Sequence, residues 1–199
     1  GINVDEVEID FAFSFDSVSA EVHIESKGNE IALEQAFVST DLGGITVSAG
    51  RMLNLLGFEA DEPTGLLQYS KAYTSDWNPG SRYNDGFRGA FSQGDLSVAA
   101  SVTDDYGTDP KRSTTDADDL AFDIALSYSG IENLSVSLGY ADNSGDTGTT
   151  DDLEIVNVHA SYSLGQLTIG GEYNDFELGT GEEADGYLLV ANYAVNDDL

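Results

Sequence analysis

The chain has 199 residues, of which 37 are acidic and 7 basic, giving a formal net charge of −30. A charge of that sign and size excludes nucleic-acid binding and disfavours docking on an anionic membrane surface. With no Cys and two His, neither disulfides nor thiolate metal sites are available, and little remains for transition-metal chemistry.

The length suits a single domain. No run of about 18 apolar residues encodes a membrane-crossing helix. A membrane barrel stays open all the same, because its strands need only about 9 to 11 alternating residues. Gly1-Ile2-Asn3-Val4 carries neither a basic region nor an apolar signal core, so an exported chain would have had its signal removed or left out.

Alternation with period two runs through nearly the whole chain. The first segment sets Val7, Ile9, Phe11, Phe13 and Phe15 opposite Glu6, Glu8, Asp10, Ala12 and Ser14. The second sets Val18, Ala20, Val22 and Ile24 opposite Ser19, Glu21, His23 and Glu25. The third predicts Ile31, Leu33, Gln35 and Phe37 on the apolar face, opposite Glu34 and Ala36. Ile45, Val47 and Ala49 mark a fourth. After a long break come segments with Phe87 and Phe91, then Leu96 to Val102, then Leu120 to Tyr128. Three more centre on Val136, Val158 and Ile169, and a last runs from Tyr187 to Val195, for about eleven strands. In mid-strand the apolar faces hold Gln35 and Gly but no Lys, Arg, Asp or Glu. A lipid-facing surface requires this, since Arg or Lys at the bilayer midplane costs roughly 2 to 4 kcal/mol.

A soluble antiparallel sandwich also alternates, so periodicity does not choose between the two. The connections do. Residues 16–17, 41–44, 92–95, 129–133 and 164–166 are short, whereas 52–82, 106–118, 141–151 and 177–184 are long, with 26–30 the exception. Tight turns on one side and long loops on the other are the asymmetry of an outer-membrane barrel. If short turns are periplasmic, the first strand runs downward, so residues 1–199 read as one barrel domain incomplete at one or both ends. A twelfth strand over residues 65–74, with Leu67, Tyr69 and Tyr73 alternating, would reverse that direction.

The break at residues 52–82 holds the only Trp, Trp77, and the only Met, Met52. From Glu34 through Tyr73 the sequence resembles Gram-negative outer-membrane porin-type barrels, in particular the OmpL-like group. In that group a strand ending in Gly-Arg leads into a Leu-Gly-aromatic-Glu turn and a Tyr-Ser-basic segment. The matching residues are Gly50-Arg51, Leu56-Gly57-Phe58-Glu59 and Tyr69-Ser70-Lys71. The resemblance implies a transmembrane up-and-down barrel whose loop 52–82 folds inward as a constriction. Acids there would face bases across the lumen: Arg51, Lys71, Arg82 and Arg88 bracket Glu59, Asp61 and Glu62.

Glu21, His23, Glu34, Asp123, His159 and Glu172 fall on polar strand faces and are expected to line the lumen wall. His159 has no acid placed to orient it, and no Gly-x-Ser-x-Gly elbow occurs, so no catalytic constellation is recognisable. Asp142 to Asp146 superficially resembles a calcium loop, but Thr147 and Leu153 break its register; loop calcium at Asp142 and Asp146 is the weak remaining metal reading, and no cofactor is implied. Tyr128, Tyr140, Tyr162, Tyr173 and Tyr193 sit towards strand ends, as an interfacial girdle would. The expectation is a cation-preferring porin contacting outer-membrane lipid and passing small hydrophilic solutes. Trimers are common among general porins, while OmpL-like barrels include monomers. The alternative is an acidic, calcium-dependent sandwich module for adhesion.

Overall fold

The computed structural model describes residues 4, 6–27, 30–61, 65–66, 68, 71–72, 83–104, 120–143, 153–178 and 181–195. Eleven strands form among them: β1 (Glu6–Ser14), β2 (Val18–Lys27), β3 (Glu30–Asp41), β4 (Ile45–Leu53), β5 (Tyr83–Gln93), β6 (Leu96–Thr103), β7 (Ala121–Ile131), β8 (Leu134–Asp142), β9 (Leu153–Leu164), β10 (Leu167–Leu178) and β11 (Glu183–Tyr193). All belong to one antiparallel sheet in strict chain order. A sandwich needs two sheets, so the structure removes that alternative.

Short turns close tightly because the residues at them tolerate the left-handed backbone. Gly94, Asn133 and Gly165 take φ of 60°, 64° and 61° in the two-residue links after β5, β7 and β9. Residues 65, 66, 68, 71 and 72 are not in a strand; the remainder of the expected twelfth strand, with Leu67, Tyr69 and Tyr73, lies outside the described residues.

The sheet is inside out relative to a soluble protein. Phe11, Phe13, Phe87, Val102, Phe122, Leu138 and Leu189 are all exposed, while the buried set is dominated by Asp123, Glu172, Asn157, Asn174, Ser101 and Thr103. A contiguous exposed apolar face of this extent marks a membrane or protein contact surface, and repeated on every strand of one up-and-down sheet it fits the lipid face of a barrel. Tyr128, Tyr162 and Tyr193 lie near the short-turn ends of β7, β9 and β11. Towards the long-loop ends, Tyr140 packs on Phe122 at 5.6 Å between ring centroids and Tyr173 on Tyr187 at 5.1 Å. Among the described residues no helix is long and apolar enough to cross a membrane, which says nothing of a β-barrel.

One irregularity corrects the expected facing of β3. His23 pairs with Gln35 but Ile24 pairs with Leu33, leaving Glu34 as an extra residue in the ladder. Such a bulge reverses the parity on one side of it. Gln35 and Phe37 therefore fall on the polar face, paired with His23 and Glu21, and Val38 takes the outward place, 50% exposed.

Candidate functional site

After β4 the chain folds onto the polar face of the sheet. The segment from Leu53 to Asp61 is held there by its own backbone. The Leu53 N–H donates to Gln35 Oε1 (2.9 Å), Leu55 N–H to Asp123 Oδ2 (2.9 Å), Gly57 N–H to Asn157 Oδ1 (3.3 Å) and Phe58 N–H to Glu172 Oε1 (2.8 Å). Arg88 supplies the opposite polarity, donating through Nη2 to the Leu53 carbonyl (2.5 Å) and through Nε to Ser101 Oγ (2.9 Å). A strip of chain laid across a sheet has backbone donors that no ladder satisfies, and wall side chains from β3, β7, β9 and β10 provide the acceptors.

Two loop side chains plug into gaps that the wall leaves open. Leu56 sits over Gly139, where a Cβ would fall 2.8 Å from the Leu56 Cγ, and Phe58 over Gly170, where a Cβ would fall 2.5 Å from its ring. Leu56 joins Ala121, Ala141, Leu153, Ile155 and Phe176 in the buried apolar cluster. The Phe58 ring lies tilted against His159, centroids 5.3 Å apart. Beneath the loop, Asn157 Nδ2 donates to Glu172 Oε1 (2.7 Å) and Asn174 Oδ1 (2.5 Å). Asp123 and Glu172 are only 2% and 5% exposed, a burial that charge-assisted bonds from backbone N–H groups make tolerable.

Further along, the loop braces itself. Glu59 accepts from Gln68 Nε2 and from the Ala72 N–H, both at 2.8 Å. Asp61 forms an ion pair with Lys71 and accepts from the Tyr83 hydroxyl at 2.6 Å. Between the loop and β7 to β9 lies an opening of ≈ 220 Å³ lined by Leu55, Ala125, Ser127, Ser137, Gly139 and His159.

The residues singled out in the sequence thus separate into groups. Glu59, Asp61, Lys71 and Arg88 belong to the loop and its supports, as do Asp123, His159 and Glu172 on the wall. Arg51 lies beside Gly50 and pairs with Asp85, Nε to Oδ1 at 3.0 Å. Glu62, Arg82, Trp77 and Asp146 lie outside the described residues. Asp142 accepts from the Tyr140 hydroxyl at 3.2 Å and joins no group of potential metal ligands among the described residues. Glu21, His23 and Glu34 form a second acidic wall on β2 and β3, which meets the loop through Gln35, bonded both to the Leu53 N–H and to His23.

Sequence reading missed Gln35, Asn157 and Asn174, and with them the glycine gaps at Gly139 and Gly170. Asn is unfavourable in mid-strand, so Asn157 and Asn174 at polar-face positions were a usable signal for a bonded partner.

No curated protein matches the chain. Among solved structures the fold is similar to the outer-membrane protein OmpT of Vibrio cholerae, with 14% identity and a TM-score of 0.61 over 96% of this chain and 63% of that one. It is likewise similar to the anion-selective porin of Comamonas acidovorans, with 17% identity and a TM-score of 0.64 over 96% and 64%. A mutant porin of Rh. blastica follows at 17% identity and a TM-score of 0.50, covering 96% and 80%. The chain therefore spans just under two thirds of the length of the first two. The family model described as "Putative beta-barrel porin-2, OmpL-like" matches residues 4–199. With its lipid-facing apolar belt, polar interior and inward loop, the chain belongs to this family of OmpL-like β-barrel porins of the outer membrane.

Proposed function

We propose that the barrel is a passive aqueous channel for small hydrophilic solutes and ions, preferring cations, with the loop over residues 52–82 as its constriction. The observation that carries this reading is the loop from Leu53 to Asp61, bonded across the polar face so that it occupies lumen space rather than leaving the barrel. Lys71, Asp61 and Arg88 place opposite charges around that segment, and a transverse field of this kind acts strongly on a solute in a narrow pore. Arg51, Glu62 and Arg82 complete the proposed rim on sequence grounds.

Cation preference rests on the balance of the wall. Asp10 and Glu21 keep side-chain exposures of 58% and 45%, and exposed acids raise the local cation concentration. The Comamonas porin is anion-selective, but at 17% identity it argues for the fold and not for this chain's selectivity. The test is a planar-bilayer recording across a KCl gradient. Discrete conductance steps with a reversal potential on the cation side support the reading. Steps with an anion-side potential would overturn the preference, and a protein that inserts without conducting would overturn the channel.

A further inference from the structure

We propose that Glu8, His23 and Glu34 form a site for a divalent transition-metal ion on the inner wall, joining β1, β2 and β3. One ligand atom from each of the three lies within 4.8 Å of the others. His23 Nδ1 stands 3.3 Å from Glu8 Oε1, and atoms bound to one metal at about 2.0 to 2.2 Å are themselves roughly 3 to 3.5 Å apart. Nδ1 also stands 3.3 Å from Asp10 Oδ1, long for a direct charge-assisted bond, and 3.3 Å from the Gln35 amide Nε2, a neutral donor that a metal ion would displace. A single imidazolium N–H can satisfy one of these carboxylates, whereas an ion among them engages several at once.

Two further features point to a ligand. Glu34 is the bulged residue of β3, so its place in the ladder is given up to aim it at the cluster. It is only 8% exposed, and its Oε2 is buried without a hydrogen-bond partner, while the Tyr83 hydroxyl is a hydrogen-bonding neighbour of the carboxyl from β5. On the other side of the ring, His23 Nε2 stands 3.2 Å from Glu21 Oε2. That contact gives Nε2 a carboxylate acceptor; in the tautomer with the proton on Nε2, Nδ1 is the metal ligand, the arrangement in which a carboxylate orients a metal-binding histidine. One imidazole nitrogen with two carboxylates suits Zn²⁺, Co²⁺, Ni²⁺ or Cu²⁺ better than Ca²⁺ or Mg²⁺.

The test uses chelator-stripped protein in detergent, titrated with Co²⁺ in excess Mg²⁺, which occupies ordinary carboxylate patches. The expected result is about one saturable Co²⁺ with a visible ligand-field band, weakened by more than about tenfold in both His23→Gln and Glu34→Gln. Glu21→Gln should weaken it less. Equal Co²⁺ affinity in His23→Gln, or no saturable binding by the unmodified protein, would overturn the site. Should the variants fail to fold, Cu²⁺ electron paramagnetic resonance of the unmodified protein decides: coupling to one imidazole nitrogen is expected, and its absence would overturn the proposal. Neither readout depends on conductance, so this site and the channel reading stand or fall separately.

Discussion

The two acidic walls of the barrel use the same residue types in opposite ways. On β7 to β10, Asp123 and Glu172 are almost fully buried and each gives one oxygen to a loop N–H group. On β1 to β3, Asp10 and Glu21 stay open to solvent around His23. A carboxylate in a bonded, dry position holds structure; in a wet one it sets the local potential. The difference teaches that net charge alone does not locate the selectivity of such a barrel, because part of that charge is committed to fastening the loop.

The largest effect should come from breaking the fastened wall. In the Asp123→Ala, Glu172→Ala double variant the N–H groups of Leu55 and Phe58 lose their acceptors, at about 1 to 3 kcal/mol for each lost partner. Urea unfolding in detergent should show that loss, and bilayer recordings should show larger, noisier steps as the loop comes away. Next in size is Gly170→Ala, whose methyl collides with the Phe58 ring. Overpacking of this kind costs about 1 to 3 kcal/mol, here at the low end because a ring can shift, and Phe58→Leu in the same chain should recover part of it. Asp61→Asn should leave the wall intact, keep an acceptor for the Tyr83 hydroxyl and remove the Lys71 ion pair, whose lysine end is exposed, at a cost of about 1 kcal/mol. Its readout is therefore current noise more than stability. The smallest change in stability, within about 0.5 kcal/mol, belongs to Asp10→Asn with Glu21→Gln. Yet that pair, measured with chelator present, should move the reversal potential towards zero further than any variant of the fastened wall. If Asp123→Asn shifted it more, the contrast between the walls would fail.

The strand ladder was legible because lipid on one side and water on the other impose the same two-residue period on every strand. Phe37 and Gln35 were misplaced because one extra residue, Glu34, reverses the parity, and a bulge has no compositional mark of its own. The break after β4 stood out through Trp77, Met52 and its concentrated charges. Which wall receives it was not legible: Leu55 meets Asp123, Gly57 meets Asn157 and Phe58 meets Glu172 across 68, 100 and 114 residues of sequence. Nothing local couples such positions. The glycines at 139 and 170 read as ordinary strand glycines until the side chains that fill their gaps are placed beside them.

Those separations also order events in time. Residues 55 to 58 can dock only once β7, β9 and β10 present their acceptors, however far those strands lie from β4 in sequence. Contacts this distant in sequence are slow to form because the intervening chain must be closed first. Docking of Leu56 over Gly139 and Phe58 over Gly170 is therefore a late step, completed only as β9 and β10 join the sheet. Until those strands pair, the polar face would carry no docked loop, and docking would mark that β7 to β10 have joined the sheet.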